Sequence, residues 1–328
     1  MDKQVICVGV DISKATLDIC VLENEKPEQF TILNDCKAIR KFVKKYLPKK
    51  GALIGMENTG RYTWPLLSAL EDFEHTVFVI PPLHLSKSLG LVRGKSDRID
   101  AERICRFTLK NRDELRKHVP QRAVIKELGV LLTERKRLIR IKGQITRGLK
   151  ELGQMDGSIM KSKVCAVNRS LIKTLVTQIT KVEKMIKELV GSDSALCEQD
   201  TLLRSVPGLG PVLSWNIIYR TNEFLSVSDP RKLACYAGVV PFEHSSGTSV
   251  KGRNRVSPYA DRQFKSILHM AEMRAVRLEG ELNHYYIRKV EEGKNKMSIL
   301  NAVRNKIIHR AFAVIREKRP YENRLVLS

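Results

Sequence analysis

The chain has no apolar run of ~18 residues, the length that crosses a bilayer, and no signal-peptide pattern over Met1 to Gln4, so neither a membrane protein nor a secreted one is expected. It has no Cys-x-x-Cys. Its seven cysteines, Cys7, Cys20, Cys36, Cys105, Cys165, Cys197 and Cys235, are odd in number and scattered. That argues against a disulfide framework and a thiolate zinc site, and marks them as reduced packing residues of a cytoplasmic protein. Acidic residues are scarce as well: 36 Asp and Glu against 59 Lys and Arg leave a net charge of +23, spread along the chain rather than confined to one tail. A balance of that sign and size points to nucleic acid as the partner.

Four of the few acids stand at particular places. Asp11 ends the apolar run Val5 to Val10, which turns through Ile12, Ser13 and Lys14 into a second strand-like run, Leu17 to Leu22. Glu57 ends the run Ala52 to Met56 and is followed by the turn-forming Asn58, Thr59 and Gly60. Asp97 and Asp100 are three residues apart in Ser96 to Ile104, a spacing that puts both on one helical face. Hard oxygen donors of this kind suit Mg²⁺ or Mn²⁺, and two such ions about 3.5–4 Å apart activate a nucleophile and stabilise a leaving oxygen in phosphodiester chemistry. Taken singly, each acid also reads as a turn residue or a solvated surface charge. As a set of four before residue 101, they read as a site.

The pattern up to about residue 107 alternates strands, over 5–10, 17–22, 52–56 and 76–80, with helices near 36–47, 63–72 and 97–109. This is an α/β domain with the leading hairpin and crossover strands of a ribonuclease H-like, RuvC-like sheet. From 121 to 192 long helices follow. Ile172, Leu175, Ile179, Val182, Ile186 and Leu189 keep an unbroken 3–4 alternation, and Leu128, Leu131, Leu138, Ile145, Leu149 and Leu152 follow it with Arg135 and Lys142 interposed. The seam serves an intramolecular hairpin, an oligomeric coiled coil, or both. The rest of the chain is mainly helical. It opens with Val206-Pro207-Gly208-Leu209-Gly210, which reads as a helix-hairpin-helix turn whose amides at Gly208 and Gly210 can bind a DNA phosphate; a plain helix break is the other reading. The hydroxyl-rich, basic stretch Glu243 to Ser257 reads as a loop that holds a phosphate or as a flexible solvated loop. After it come Lys265, Arg274, Arg277, Arg288, Lys289, Arg304, Lys306 and Arg310, read as a phosphate-facing surface. The regions expected are a metal-binding catalytic domain at 1–115, a helical coiled-coil region at 116–198 and a C-terminal domain at 199–328.

Three features coincide in order: the acids Asp11, Glu57, Asp97 and Asp100; the Val206 to Gly210 turn; and the loop from Ser246-Gly247 to Lys251-Gly252. Together with Asp11-Ile12-Ser13-Lys14, Glu57-Asn58-Thr59-Gly60 and Lys95 to Ala101, they resemble the DEDD transposases, the Piv-invertase-like recombinases of bacterial insertion sequences, nearly end to end. The resemblance implies a RuvC-like domain whose acid tetrad coordinates Mg²⁺ or Mn²⁺, and a C-terminal transposase domain whose serine attacks DNA to leave a phosphoserine link. Ser246 matches the serine position, with Ser245 the alternative. Lys251, Arg253 and Arg255 are then candidate phosphate contacts or simply basic loop residues. The resemblance further implies a structured guide (bridge) RNA, donor and target DNA, a homo-oligomer that goes from dimer to tetramer, and a place at the bacterial nucleoid. Rival expectations are a RuvC-like junction resolvase that uses water as nucleophile, a non-catalytic nucleic-acid scaffold, and an actin-like sugar or acetate kinase. For the kinase the chain lacks further glycine-rich phosphate loops.

Overall fold

A computed structural model describes residues 5–88, 96–154, 159–246, 250–256 and 259–323, of which 87–88, 159–161, 242–246 and 250–255 are described by backbone alone. The chain divides into two compact units, Met1–Pro120 and Gln121–Ser328.

The first unit is built on a sheet ordered β3-β2-β1-β4-β5, formed by β1 (Cys7–Ile12), β2 (Thr16–Glu23), β3 (Lys26–Leu33), β4 (Lys50–Glu57) and β5 (Glu74–Ile80). The first three strands form an antiparallel meander; β1, β4 and β5 run parallel. This is the mixed sheet of the ribonuclease H-like fold expected above. Alternation along the strands sorts side chains to two faces. Val8, Val10, Ile19, Val21, Ile54 and Met56 pack beneath α1 (Cys36–Tyr46) and α2 (Trp64–Leu70) through Ile39, Phe42, Leu66 and Ala69. The opposite face carries Cys7, Gly9, Cys20, Leu53, Gly55 and Phe78, and α4 (Asp97–Lys110) lies across it through Ala101, Ile104 and Cys105. Between β5 and α4 runs the short α3 (Pro82–Ser88).

The fit of α4 is set by two glycines. A Cβ on Gly9 would lie 2.2 Å from the Ala101 carbonyl and 2.3 Å from the Cys105 amide; one on Gly55 would lie 1.8 Å from Thr108 Oγ1. Cys7 and Cys105 exchange thiol-to-carbonyl hydrogen bonds of 3.2–3.3 Å at the same contact. Helix and sheet therefore meet backbone to backbone. Because Cys7 faces Cys105 and Gly9 faces Ala101, α4 runs against the direction of β1, and its first turn arrives where β1 and β4 end.

One strand went unread in the sequence: β3. Six of its eight residues, Lys26 to Gln29, Thr31 and Leu33, are exposed, and only Phe30 and Ile32 pack inward, so it carries too few apolar positions to show an alternation. Its Pro27 fits a sheet edge. A second difference is one of extent: Asp11 lies inside β1, one residue before its end.

In the second unit α5 (Ala123–Gly153) and α6 (Ile159–Ser192) form an antiparallel hairpin, with Arg135 of α5 paired to Glu183 of α6 at 2.7 Å. The apolar seam read from the sequence is turned into this hairpin: Ile179, Val182 and Ile186 are buried. Ile125, Leu128, Leu132, Val182, Ile186 and Val190 share one core with α7 (Ser194–Ser205), α8 (Pro211–Thr221), α9 (Pro230–Tyr236), α10 (Arg262–Ala275), α11 (Glu281–Glu291) and α12 (Lys296–Glu317). Arg122, just before α5, ties that core together by pairing with Asp193 at 2.7 Å and Glu223 at 2.5 Å. A two-stranded hairpin, β6 (Pro241–Ser246) with β7 (Val250–Val256), stands between α9 and α10.

Gly9→Ala is expected to cost at least about 1–3 kcal/mol in chemical denaturation, the usual range for overpacking. Gly148→Ala, at a position on α5 with nothing within 4 Å, is expected to be neutral or to stabilise by up to about 1 kcal/mol. Equal effects would mean that the Gly9 contact does not set the fit of α4.

Candidate active site

The carboxylates come together because of how the strands and α4 are stacked. The parallel register pairs Gly9 with Gly55 and Val10 with Met56, and one step further stand Asp11 and Glu57, side by side at the carboxyl ends of two central strands. That rim is where open α/β sheets place their ligands. The first turn of α4 brings Asp97 and Asp100 to it. Ser96 caps this helix by accepting from the Ile99 N–H at 3.4 Å, and the positive end of the helix dipole favours acids in its first turn.

Electrostatics report the convergence. Burial pushes the Asp11 carboxyl up to about 6, and the charges of Asp97, Asp100 and Glu57 push it the same way, against one hydrogen bond from the Ile12 amide. All three other acids act on the one that is half-buried. Asp100 is also held by Arg103, whose Nη1 donates to Oδ1 at 2.8 Å. Among the described residues no three Asp, Glu, His or Cys side chains are gathered closely enough to hold a metal ion. The four acids thus share a field centred on Asp11 without closing into a ligand shell.

Two residues of this site were missed in the sequence. Asp18 stands opposite Asp11 in the β1–β2 register, nearly buried, and accepts from Thr31 Oγ1 at 2.7 Å. Its place in an otherwise apolar run was the signal available. Arg103, three residues after Asp100, was the other.

In the second unit Ser245 and Ser246 lie on β6, where Ser245 pairs with Lys251 and Ser246 with Val250; Arg253 and Arg255 follow on β7. Gly247, Thr248 and Ser249 lie outside the described residues, as does Lys95. The chain entering the hairpin is held by two side chains: Lys265 Nζ donates to the Gly238 carbonyl at 2.8 Å and Asn301 Nδ2 to the Val239 carbonyl at 2.6 Å. Asn301 was not singled out in the sequence because a polar residue on a helix carries no periodic signal.

The Val206 to Gly210 turn does separate two helices, α7 and α8. Gly208 has φ +86° and is buried, and a Cβ there would lie 2.5 Å from the Ala271 carbonyl, so close packing on α10 accounts for this glycine. Gly210 is half-buried beside Pro211 at the start of α8; both glycines line a cleft of about 370 Å³ with Arg135 and Arg274. Three cations expected on a phosphate-facing surface are instead engaged by partners within the protein. Arg304 is 5% exposed and paired with the fully buried Glu272, Arg310 pairs with Glu281 at 2.6 Å, and Lys265 is committed to Gly238. The amphipathic pattern of these helices does not distinguish a cation that snorkels outward from one that meets an acid inside.

A carboxyl that ionises near 6 in the native state and near 3.9 unfolded contributes stability that is complete below about pH 4 and is lost as pH rises through about 6. Asp11→Asn removes the charge that must otherwise be accommodated. In metal-free buffer it should raise Tm by a few degrees at pH 7.5 and have no effect at pH 4. A difference in Tm independent of pH would show that the four acids do not crowd one another.

The chain is similar to known proteins along most of its length. A family model described as "Transposase", for the DEDD transposases of IS110 elements, matches residues 8–153, and one described as "Transposase IS116/IS110/IS902 family" matches residues 200–287. The chain is similar to the pilin gene-inverting protein of Moraxella bovis, 24% identical over 97% of this chain and 98% of that one. It also resembles a putative transposase, y4pF/y4sB, of Sinorhizobium fredii, at 24% identity over 81% of this chain and 71% of the other. Among solved structures, RuvC of T. thermophilus in complex with a Holliday junction substrate aligns with 35% of this chain and 99% of its own, at a TM-score of 0.28 and 11% identity. The two family matches fall in chain order, one spanning the acids and the other the glycine turn and the serine hairpin, and the chain belongs to the IS110 family of transposases.

Proposed function

We propose that this transposase is RNA-guided and cuts and rejoins DNA through a phosphoserine intermediate, with Asp11, Glu57, Asp97 and Asp100 holding divalent metal and Ser246 as the nucleophile. The observation that carries the reading is the convergence of four carboxylates from β1, β4 and the first turn of α4 on one rim of the sheet. Their donor chemistry fits Mg²⁺ or Mn²⁺: hard oxygens only, with like charges crowded around a half-buried acid. Arg103 holds Asp100 through Oδ1. When bound, the metal would polarise the scissile phosphate and stabilise the leaving oxygen.

The chain's own residues do the rest. The Ser246 hydroxyl attacks phosphorus, the bond to the 3′-oxygen breaks, and the serine proton leaves as the 3′-oxygen gains one. Rejoining reverses the step with a new 3′-end, so the ester conserves the energy and no nucleotide cofactor is consumed. A serine hydroxyl is a weak nucleophile at neutral pH and requires this activation. Lys251, Arg253, Arg255 and the Gly210 turn are proposed to hold the DNA backbone. Selection of donor and target by base pairing to a structured RNA leaves the protein to read shape and charge, for which +23 is suited. The α5–α6 hairpin is proposed to join copies of the chain into a dimer, then a tetramer, with the acids of one copy serving the serine of another.

The test is formation of a denaturant-resistant protein–DNA adduct on DNA spanning the element's ends, with its flanking RNA and Mg²⁺. Wild type should form it; Ser246→Ala and Asp11→Asn should not, and Ser245→Ala should. Adduct lost in Ser245→Ala alone would move the nucleophile by one residue, and cleavage without adduct would indicate a resolvase that uses water.

A further inference from the structure

Resting on the reading of the chain as a DNA transposase, we infer that Trp64, with Arg61 beside it, forms a stacking platform for an unpaired DNA base next to the carboxylate rim. The chain has two tryptophans. Trp215 is buried at 2% exposure, whereas Trp64 is 63% exposed. Leaving an indole in water forgoes the largest apolar burial a side chain can offer, and tryptophan is on average among the more buried residues.

The backbone that carries Trp64 is fixed, although its side chain is open. Gly60–Thr63 forms a 3-10 turn in which the buried Thr63 donates its hydroxyl to the Gly60 carbonyl at 2.6 Å, and Gly60 N–H is held by Asn58 Oδ1 at 3.1 Å. α2 then begins at Trp64 with Pro65, whose carbonyl accepts from Cys36 Sγ at 3.5 Å. The next residue, Leu66, is core. A rigid backbone bearing an exposed ring loses little freedom when something stacks on it.

Position ties this platform to the acids. It follows Glu57 directly, and the Asn58 N–H is fastened to the Ile80 carbonyl at the end of β5. A single side chain then links this segment to the turn that follows Asp11: Asn34 Nδ2 donates to the Ser13 carbonyl at 2.9 Å and to the Tyr62 carbonyl at 3.1 Å. The segment Arg61 to Trp64 and the β1–β2 turn with Lys14 are thereby held together on the rim that carries Asp11 and Glu57. Arg61, three residues before Trp64, is exposed, with its guanidinium 5.2 Å from the Tyr62 ring centre, and supplies positive charge for a phosphate along the same segment. An exposed aromatic plane, a neighbouring cation and a rigid mount are what binding of a single strand uses. A paired base in a duplex has no open face for it, so the occupant is an unpaired base of the strand being cut.

The experiment uses the full-length protein without divalent metal, so that no strand is cut, and follows tryptophan emission and affinity with a single-stranded DNA oligonucleotide, the matching duplex and the matching single-stranded RNA. The DNA single strand should quench wild-type emission and leave that of Trp64→Phe, which reports only Trp215, unchanged. Trp64→Ala should weaken single-strand binding roughly 5- to 100-fold and Trp64→Phe by no more than about 3-fold, the range for one base on one ring, with duplex affinity alike in all three. Single-stranded DNA bound without quenching, or bound equally by Trp64→Ala, would overturn the inference and leave the transposase reading standing. Quenching by RNA and not by DNA would overturn the choice of strand. Failure of the wild type to bind either DNA would overturn the inference together with the proposed DNA chemistry.

Discussion

The first unit depends on one close contact, the seating of α4 directly on the backbone of β1 and β4. Gly9 and Gly55 make room for it, and any side chain there would meet Ala101, Cys105 or Thr108. The consequence reaches the site several residues away. A helix running against β1 and held at Ala101 and Cys105 must begin over the ends of β1 and β4, so its first turn is delivered to Asp11 and Glu57. Packing and chemistry are coupled here because the contact that completes the core also sets the distance between the acids. The glycines stand two residues before Asp11 and Glu57 respectively, on the same face of the sheet by strand alternation.

The price of this arrangement is charge. Four carboxylates near one point are unfavourable for one another, and burial adds to the cost at Asp11, whose carboxyl is driven up to about 6. Part of the repulsion is offset inside the protein, by Arg103 on Asp100 and by the dipole of α4. The rest remains as a standing preference for positive charge at the rim, which the proposed divalent cation would satisfy. The second unit solves a different problem. Its buried Arg304 is paired with Glu272 and its half-exposed Arg122 with Asp193 and Glu223, while Lys265 and Asn301 hold the base of the serine hairpin.

Much of this was legible in the residues. The acids at the ends of apolar runs, the i, i+3 pair, the long apolar seam and the glycine turn each follow from a short-range rule that the fold obeys. What was illegible has physical reasons. β3 is mostly exposed and carries Pro27, so nothing in its pattern distinguishes it from a loop. Gly208 was read as part of a phosphate-binding turn, yet its close contact with Ala271 depends on α10, more than 60 residues away. Arg304 and Arg310 look like surface cations because their partners, Glu272 and Glu281, lie on other helices. Likewise the closeness of Asp11 to Asp97 is a property of the Gly9 contact, and no local spacing encodes it.

At the centre stands the proposal that the seating of α4 assembles one divalent-metal site from three elements. Anomalous scattering from crystals grown with Mn²⁺ tests it most directly. The account predicts a peak bounded by carboxylate oxygens of Asp11, Glu57 and the first turn of α4, at about 2.0–2.3 Å from them. A Mn²⁺-saturated crystal with no peak at that rim, or with the ion bound elsewhere and α4 seated as described, would contradict it.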